Sequence, residues 1–181
     1  MDKLDVKILE KARQLGFTAS LVFDAGQLIP EQRIREFCLE NKCGHYQGNY
    51  MCPPFVGSIQ EIQECLKDFR RGILLQYLIS LEVKKGNKEI RESRVVFHNK
   101  ILQLEKFLKD AGIENIWGIS GGACGLCEVC QSKLDKPCLY PDKAKTSLEA
   151  LGIDVLTFLD KLGLDNKFYP DRITWTGCIL F

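Results

Sequence analysis

The first apolar stretch, Phe17-Thr-Ala-Ser-Leu-Val-Phe23, is short and rich in strand formers, and predicts a strand. Pro30 stands where a helix can begin, because its missing N–H would be unpaired there anyway, and a helix is read over about Pro30 to Glu40. From Asn41 to Gly57 there is no apolar period, and Gly, Pro, Asn and Tyr dominate, so this stretch reads as a loop. Ser58-Ile-Gln-Glu61 has the form of a capping box and opens a helix to about Phe69, ended by Gly72. Ile73 to Val83 is nearly continuous in apolar residues, the pattern of a strand buried on both faces. Asn87 can cap a long helix that ends near Gly112, with Phe97, Ile101, Leu104 and Leu108 forming one stripe. Glu114 to Ile119 gives a third strand, Asp154 to Leu162 a helix stopped by Gly163, and Arg172 to Leu180 a last strand.

Alternating strands and helices predict an α/β fold with a small mixed four-stranded sheet and helical crossovers. If the first strand points up, the direction of each later element brings the loop after Pro30–Glu40 and the segment after Gly121-Gly122 to the same end of the sheet. The same tracing makes strands two, three and four parallel and strand one antiparallel. At 181 residues the chain is read as one domain, 1–181.

Composition narrows the function. Hydrophobic residues make up 45% and charged residues 27%, which is ordinary for a folded domain and excludes disorder and fibrous classes. A formal net charge of +1 gives no field to steer the chain to nucleic acid or an anionic membrane. The pairs Arg70-Arg71 and Lys84-Lys85 read as solvated surface. The start, Met-Asp-Lys-Leu-Asp-Val-Lys, lacks a signal-peptide core, and no apolar run approaches the roughly 20 residues that span a bilayer, so a cytoplasmic location is expected.

The cysteines change the picture most. Seven of the nine fall in two sets: Cys38, Cys43 and Cys52, then Cys124, Cys127, Cys130 and Cys138. The second set opens with Cys-x-x-Cys-x-x-Cys, the ferredoxin arrangement of three thiolate ligands to an iron–sulfur cube. Its fourth cysteine comes eight residues after Cys130, so Cys138 completes either its own set or the first one. In the first set, Cys52-Pro53-Pro54 fixes two φ angles and predicts an extended exit from the metal. Seven thiolates are one short of two cubanes, which would leave one iron with a ligand other than cysteine; one cubane would leave three thiols spare.

Zinc held by four thiolates is the structural alternative, although ribbon-type zinc sites use two separated Cys-x-x-Cys pairs rather than an uninterrupted triple. In a reducing cytosol an odd number of cysteines fits disulfides poorly. Cys65 and Cys178 lie away from the sets and read as small buried hydrophobes. His45, two residues after Cys43, is a candidate ligand for an under-supplied iron, with a backbone or water hydrogen bond as its ordinary role. His98 reads as solvated, Asp154 as a helix cap, Glu149 as a candidate proton carrier, and Trp117 and Trp175 as packing residues.

Cys43-Gly-His-Tyr, Tyr50-Met-Cys-Pro-Pro-Phe-Val-Gly57, Gly121-Gly-Ala-Cys-Gly-Leu-Cys-Glu-Val-Cys130, Ser147-Leu-Glu-Ala-Leu-Gly-Ile-Asp-Val155 and Trp175-Thr-Gly177 carry a resemblance. With them the chain resembles an uncharacterised family of predicted metal-binding, cysteine-rich proteins of anaerobic bacteria and archaea, domain-of-unknown-function family 2284. It departs from that family at Lys136-Pro137-Cys138-Leu139, where relatives tend to place glycine before the cysteine and arginine after it. The resemblance implies metal binding.

The expected function is a cytoplasmic iron–sulfur protein with one or two [4Fe–4S] clusters on Cys38, Cys43, Cys52, Cys124, Cys127, Cys130 and Cys138, exchanging electrons with a redox partner protein. One alternative is an enzyme that binds a small substrate at an iron lacking a cysteine ligand. The other is a zinc-stabilised interaction module. Neither nucleic acid nor membrane is an expected partner.

Overall fold

A computed structural model describes residues 2–80 and 87–181. The chain divides into two compact units, each built from separate stretches of sequence: 1–25 with 69–121 and 168–181, and 26–68 with 122–167. Among the described residues, five α-helices and one four-stranded sheet make the protein α/β, as its alternation of elements predicts.

The first unit carries the whole sheet, helix α1 (Lys3–Gln14) and helix α4 (Asn87–Asp110). Its strands are β1 (Ala19–Asp24), β2 (Arg71–Ser80), β3 (Trp117–Ile119) and β4 (Arg172–Leu180), in the order β1-β2-β4-β3. Every neighbouring pair is antiparallel. This corrects the tracing for β4, which runs opposite to β2 and β3 and lies between them. The reason lies in the connection: from β3 the chain passes through the whole second stretch of the other unit before β4, so no single helical crossover fixes its direction.

Phe97, Ile101, Leu104 and Leu108 are fully buried, and pack with Ile8, Ala12, Phe17, Ile73, Leu75 and Ile179 in one core. Gly177 lets β3 and α4 come close, because a Cβ there would overlap the Ile119 carbonyl and stand 3.2 Å from both Ile101 and Phe97. The buried arc of α4 is wider than one stripe. His98 is only 2% exposed, which corrects its reading as solvated, and it shares a helical row with Ile101 and the buried Glu105. Helix α1 was not legible as an element, yet Asp2 caps it by accepting from the N–H groups of Leu4 and Asp5 at 2.9 and 2.8 Å. Trp175 donates its indole N–H to Ser93 on α4, and Trp117 lies beside Phe69, so both tryptophans pack. The predicted continuation of β2 through Leu81–Val83, the pair Lys84-Lys85 and the capping side chain of Asn87 lie outside what is described.

The second unit holds α2 (Gln32–Leu39), α3 (Ile59–Leu66), α5 (Val155–Lys161) and two long cysteine-bearing loops. Pro30 does not start α2; it bridges Ile153, and Glu31 is the N-cap. The bridge is tight, since a Cβ on Gly152 would meet Ile59 at 2.6 Å, and its φ of +85° suits glycine. The buried residues Ile59, Ile62, Leu66, Leu148, Leu151, Ile153, Phe158 and Leu159 form this unit's apolar interior. Asp154 caps α5 by accepting from Thr157 N–H at 3.1 Å. The Ser58 box is present on α3: Ser58 accepts from Glu61 N–H at 3.2 Å and its own N–H donates to the Glu61 carboxylate at 2.6 Å. Ser58→Ala is expected to lower stability by about 1 kcal/mol, read as a lower urea midpoint at unchanged slope.

Candidate metal centre

All seven clustered cysteines belong to the second unit. Cys38 lies in the last turn of α2, and Cys43 and Cys52 follow in the loop to α3. Cys124, Cys127, Cys130 and Cys138 lie in the loop between Gly122 and the 3₁₀ turn Glu149–Leu151.

Backbone-directed hydrogen bonds join the two loops. Asn49, 3% exposed, donates its amide to the Cys124 carbonyl at 2.9 Å and accepts from Met51 N–H at 3.0 Å. Tyr50 donates its phenol to the Lys136 carbonyl at 2.8 Å, and Thr146 donates to the Met51 carbonyl at 3.0 Å. After Cys52 the chain does not leave in an extended path as its prolines predict. The Pro53–Pro54 peptide is cis, and Phe55 N–H closes a turn onto the Cys52 carbonyl at 3.0 Å.

All nine cysteines are free thiols. Cys52 is buried, Cys43 is exposed, and Cys38, Cys124, Cys127, Cys130 and Cys138 are half-buried. Burial pushes the Cys52 thiol up to about 12, helped by the charges of Cys43, Cys38, Cys124 and Cys130. The members of the first set thus act on one another, and Cys52 also feels two members of the second. Burial likewise raises Cys38, with Cys43 adding and Arg35 opposing. Burial raises Cys124, against backbone N–H groups of Leu126 and Lys145 and with Cys138 and Cys130. Cys127 is raised by burial, then by Cys124, Cys138 and Cys130.

Cys130 behaves oppositely. Burial would raise it, but the nearby polar groups of Ser132, Tyr50 and Gln131 outweigh burial and hold it below the ordinary thiol range. One of those residues, Tyr50, comes from the first loop. Clustered thiols whose charged forms would repel one another are a donor set for a soft cation or cluster, which removes the repulsion when it binds.

Residues 21–181 match the family model described as "Predicted metal-binding protein (DUF2284)". The chain belongs to this family. No curated protein and no solved structure matches it. Family membership thus gives predicted metal binding without naming the metal.

In this DUF2284 chain, no three His, Cys, Asp or Glu side chains among the described residues are placed as ligands of a single ion. A tetrahedral zinc would require sulfurs about 3.8 Å apart at its usual bond length of about 2.3 Å. The fit to a metal therefore rests on the donor chemistry of the thiols and their N–H partners.

Two cysteines outside the sets differ from each other. Cys178 on β4 is fully buried and its thiol is raised by burial, as its reading as a small hydrophobe predicts. Cys65 is exposed on α3, which corrects its reading as buried: the apolar face of that helix is Ile59, Ile62 and Leu66, and Cys65 falls off it. His45 is half-buried beside Cys43, and Glu149 adds its charge to those that act on Cys38. Asn49, the Tyr50 N–H, Ser132 and Arg35 were missed at the sequence level. Backbone donors leave no sequence signal, but Arg35 stands one helical turn before Cys38 and was open to being noticed.

Proposed function

We propose that this DUF2284 protein is an iron–sulfur protein of the cytoplasm that passes electrons to or from a partner protein. Cys124, Cys127, Cys130 and Cys138 would hold a [4Fe–4S] cluster, and Cys38, Cys43 and Cys52 the thiolate side of a second centre. The observation that carries this reading is the joining of the two cysteine-bearing loops by Asn49, Tyr50 and Thr146, which bond backbone carbonyls across them. Polar N–H groups near a thiolate, such as those near Cys130, are among the levers that set cluster potentials. The mutual influence of Cys138, Cys124 and Cys127 favours Cys138 as the fourth ligand of its own set. When bound, a cluster supplies one-electron chemistry. The protein's part is to exclude water at Cys52, to support the Cys130 thiolate, and to bring the loops together through Asn49, Tyr50 and Thr146.

A second reading is favoured by the make-up of the first set. With three thiols, the outermost being the exposed Cys43, it would leave an iron open to a small substrate. A zinc-stabilised module is the outcome to be excluded. There is no helix among the described residues long and apolar enough to cross a membrane. A near-neutral charge also argues against nucleic acid as a partner.

Purification without oxygen followed by iron, zinc and acid-labile sulfide analysis tests the proposal. The expected result is a brown protein with equal iron and sulfide, about four of each per chain for one cubane and about eight for two. Zinc alone, in a colourless protein, would end the iron–sulfur reading.

A further inference from the structure

The second unit contains a buried cation whose hydrogen-bonding capacity is largely unused. Arg35 is only 8% exposed, and its Nη1 donates to the Gly57 carbonyl at 2.9 Å. Its Nε and Nη2 are shut off from solvent and have no acceptor. Burying a guanidinium without an anion is costly, so such a group is either paired or put to use. Helix α2 places Arg35 three residues before Cys38, on the same face.

We propose that Arg35 is the counter-charge of the metal centre held by Cys38, Cys43 and Cys52, a positioning residue that favours the more negative, reduced state of that centre. The inference rests on the cluster reading above. The charges that reach Arg35 from its surroundings are those of Cys38 and Tyr46. A metal-ligating cysteine is a thiolate throughout. Cys38 in its bound form is therefore the lasting anion for this cation. One-electron reduction adds one negative charge at the centre, and the fixed guanidinium offsets part of it. Arg35 also borders an open cleft of about 410 Å³ shared with Tyr46, Pro53, Gly57 and Ser58, where a soluble anion is the competing partner.

The test compares wild type, Arg35→Gln and Arg35→Lys, purified without oxygen and titrated with dithionite as the one-electron donor. Iron and sulfide content is measured on each. The expected result is that Arg35→Gln is harder to reduce, with the reduced-to-oxidised ratio at a fixed potential falling several-fold; tenfold would correspond to about 59 mV. Arg35→Lys, which keeps the charge but not the planar fork, should recover most of that shift.

Equal potentials in all three loaded proteins would overturn the proposal. So would equal shifts in both variants, since the bond to Gly57 would then be what matters. If wild type takes up no iron, the cluster reading itself fails and Arg35's role falls with it. If millimolar inorganic phosphate raises the melting temperature of the metal-free wild type but not of Arg35→Gln, the guanidinium serves a soluble anion instead, and the proposal also fails.

Discussion

Cys127→Ala is expected to remove the cluster proposed for Cys124, Cys127, Cys130 and Cys138, a loss of about four irons per chain with the matching visible absorbance, while Cys65→Ala leaves both at wild-type levels. The two residues separate ligand from bystander within one structural unit. Cys127 is half-buried, and the thiolates of Cys124, Cys138 and Cys130 all act on it. On the proposed assignment, removing its sulfur leaves three thiolates for a four-ligand centre. Cys65 is exposed on the outer side of α3, and its loss removes no buried surface. Iron and sulfide per chain, measured beside the absorbance, decide the matter. Equal losses in the two variants would remove the ligand assignment, and unchanged iron in Cys127→Ala would remove it as surely. The apo form of Cys127→Ala is expected to stay folded in the first unit, whose core contains none of the seven clustered cysteines.

What was legible follows from which interactions leave a periodic trace. The stripe Phe97, Ile101, Leu104 and Leu108 repeats at helical spacing because one face of α4 meets the sheet, and all four are fully buried. The capping box at Ser58 and the cap at Asp154 were legible because a cap is a local contact between a side chain and a nearby backbone group. Helix α1 was missed although Leu4, Ile8 and Ala12 have the right spacing and Asp2 caps it, because the residues between them are mostly polar. The direction of β4 was not legible, because its neighbours in the sheet are set by long-range pairing after an excursion of the chain.

The candidate site divides in the same way. Thiol spacing pointed to Cys124, Cys127 and Cys130 because ligands to one cluster must be close, and closeness along the chain is written in the sequence. What supports the thiols is not written there. The N–H groups of Ser132, Tyr50 and Gln131 at Cys130, and the Asn49 amide on the Cys124 carbonyl, depend on how two distant loops fold. Burial of Cys52, and the turn that replaces its expected extended exit, likewise arise from that folding.

Phe97→Ala is expected to destabilise the first unit by about 3–5 kcal/mol, a large share of the roughly 5–15 kcal/mol that holds a domain folded. Phe97 is fully buried, its ring edge-on to Phe17 at 5.9 Å and stacked on Tyr77 at 6.5 Å. The sheet below it cannot move in to fill the cavity, because β4 is held on both sides by its ladders to β2 and β3. Gly177 offers no side chain to swing into the space, so the cost should fall toward the upper end of that range. Phe168→Ala is the control: it lies in the same unit and is 87% exposed, and the change is expected to stay within about 0.5 kcal/mol. Trp117 and Trp175, the chain's two tryptophans, both lie in this unit, so fluorescence during urea unfolding follows its melting without contribution from the other. The Phe97 variant should lose its transition at far lower urea than Phe168→Ala. Closely matching midpoints for the two would mean that α4 is not anchored by this ring, and that the core has been placed on the wrong face of the helix.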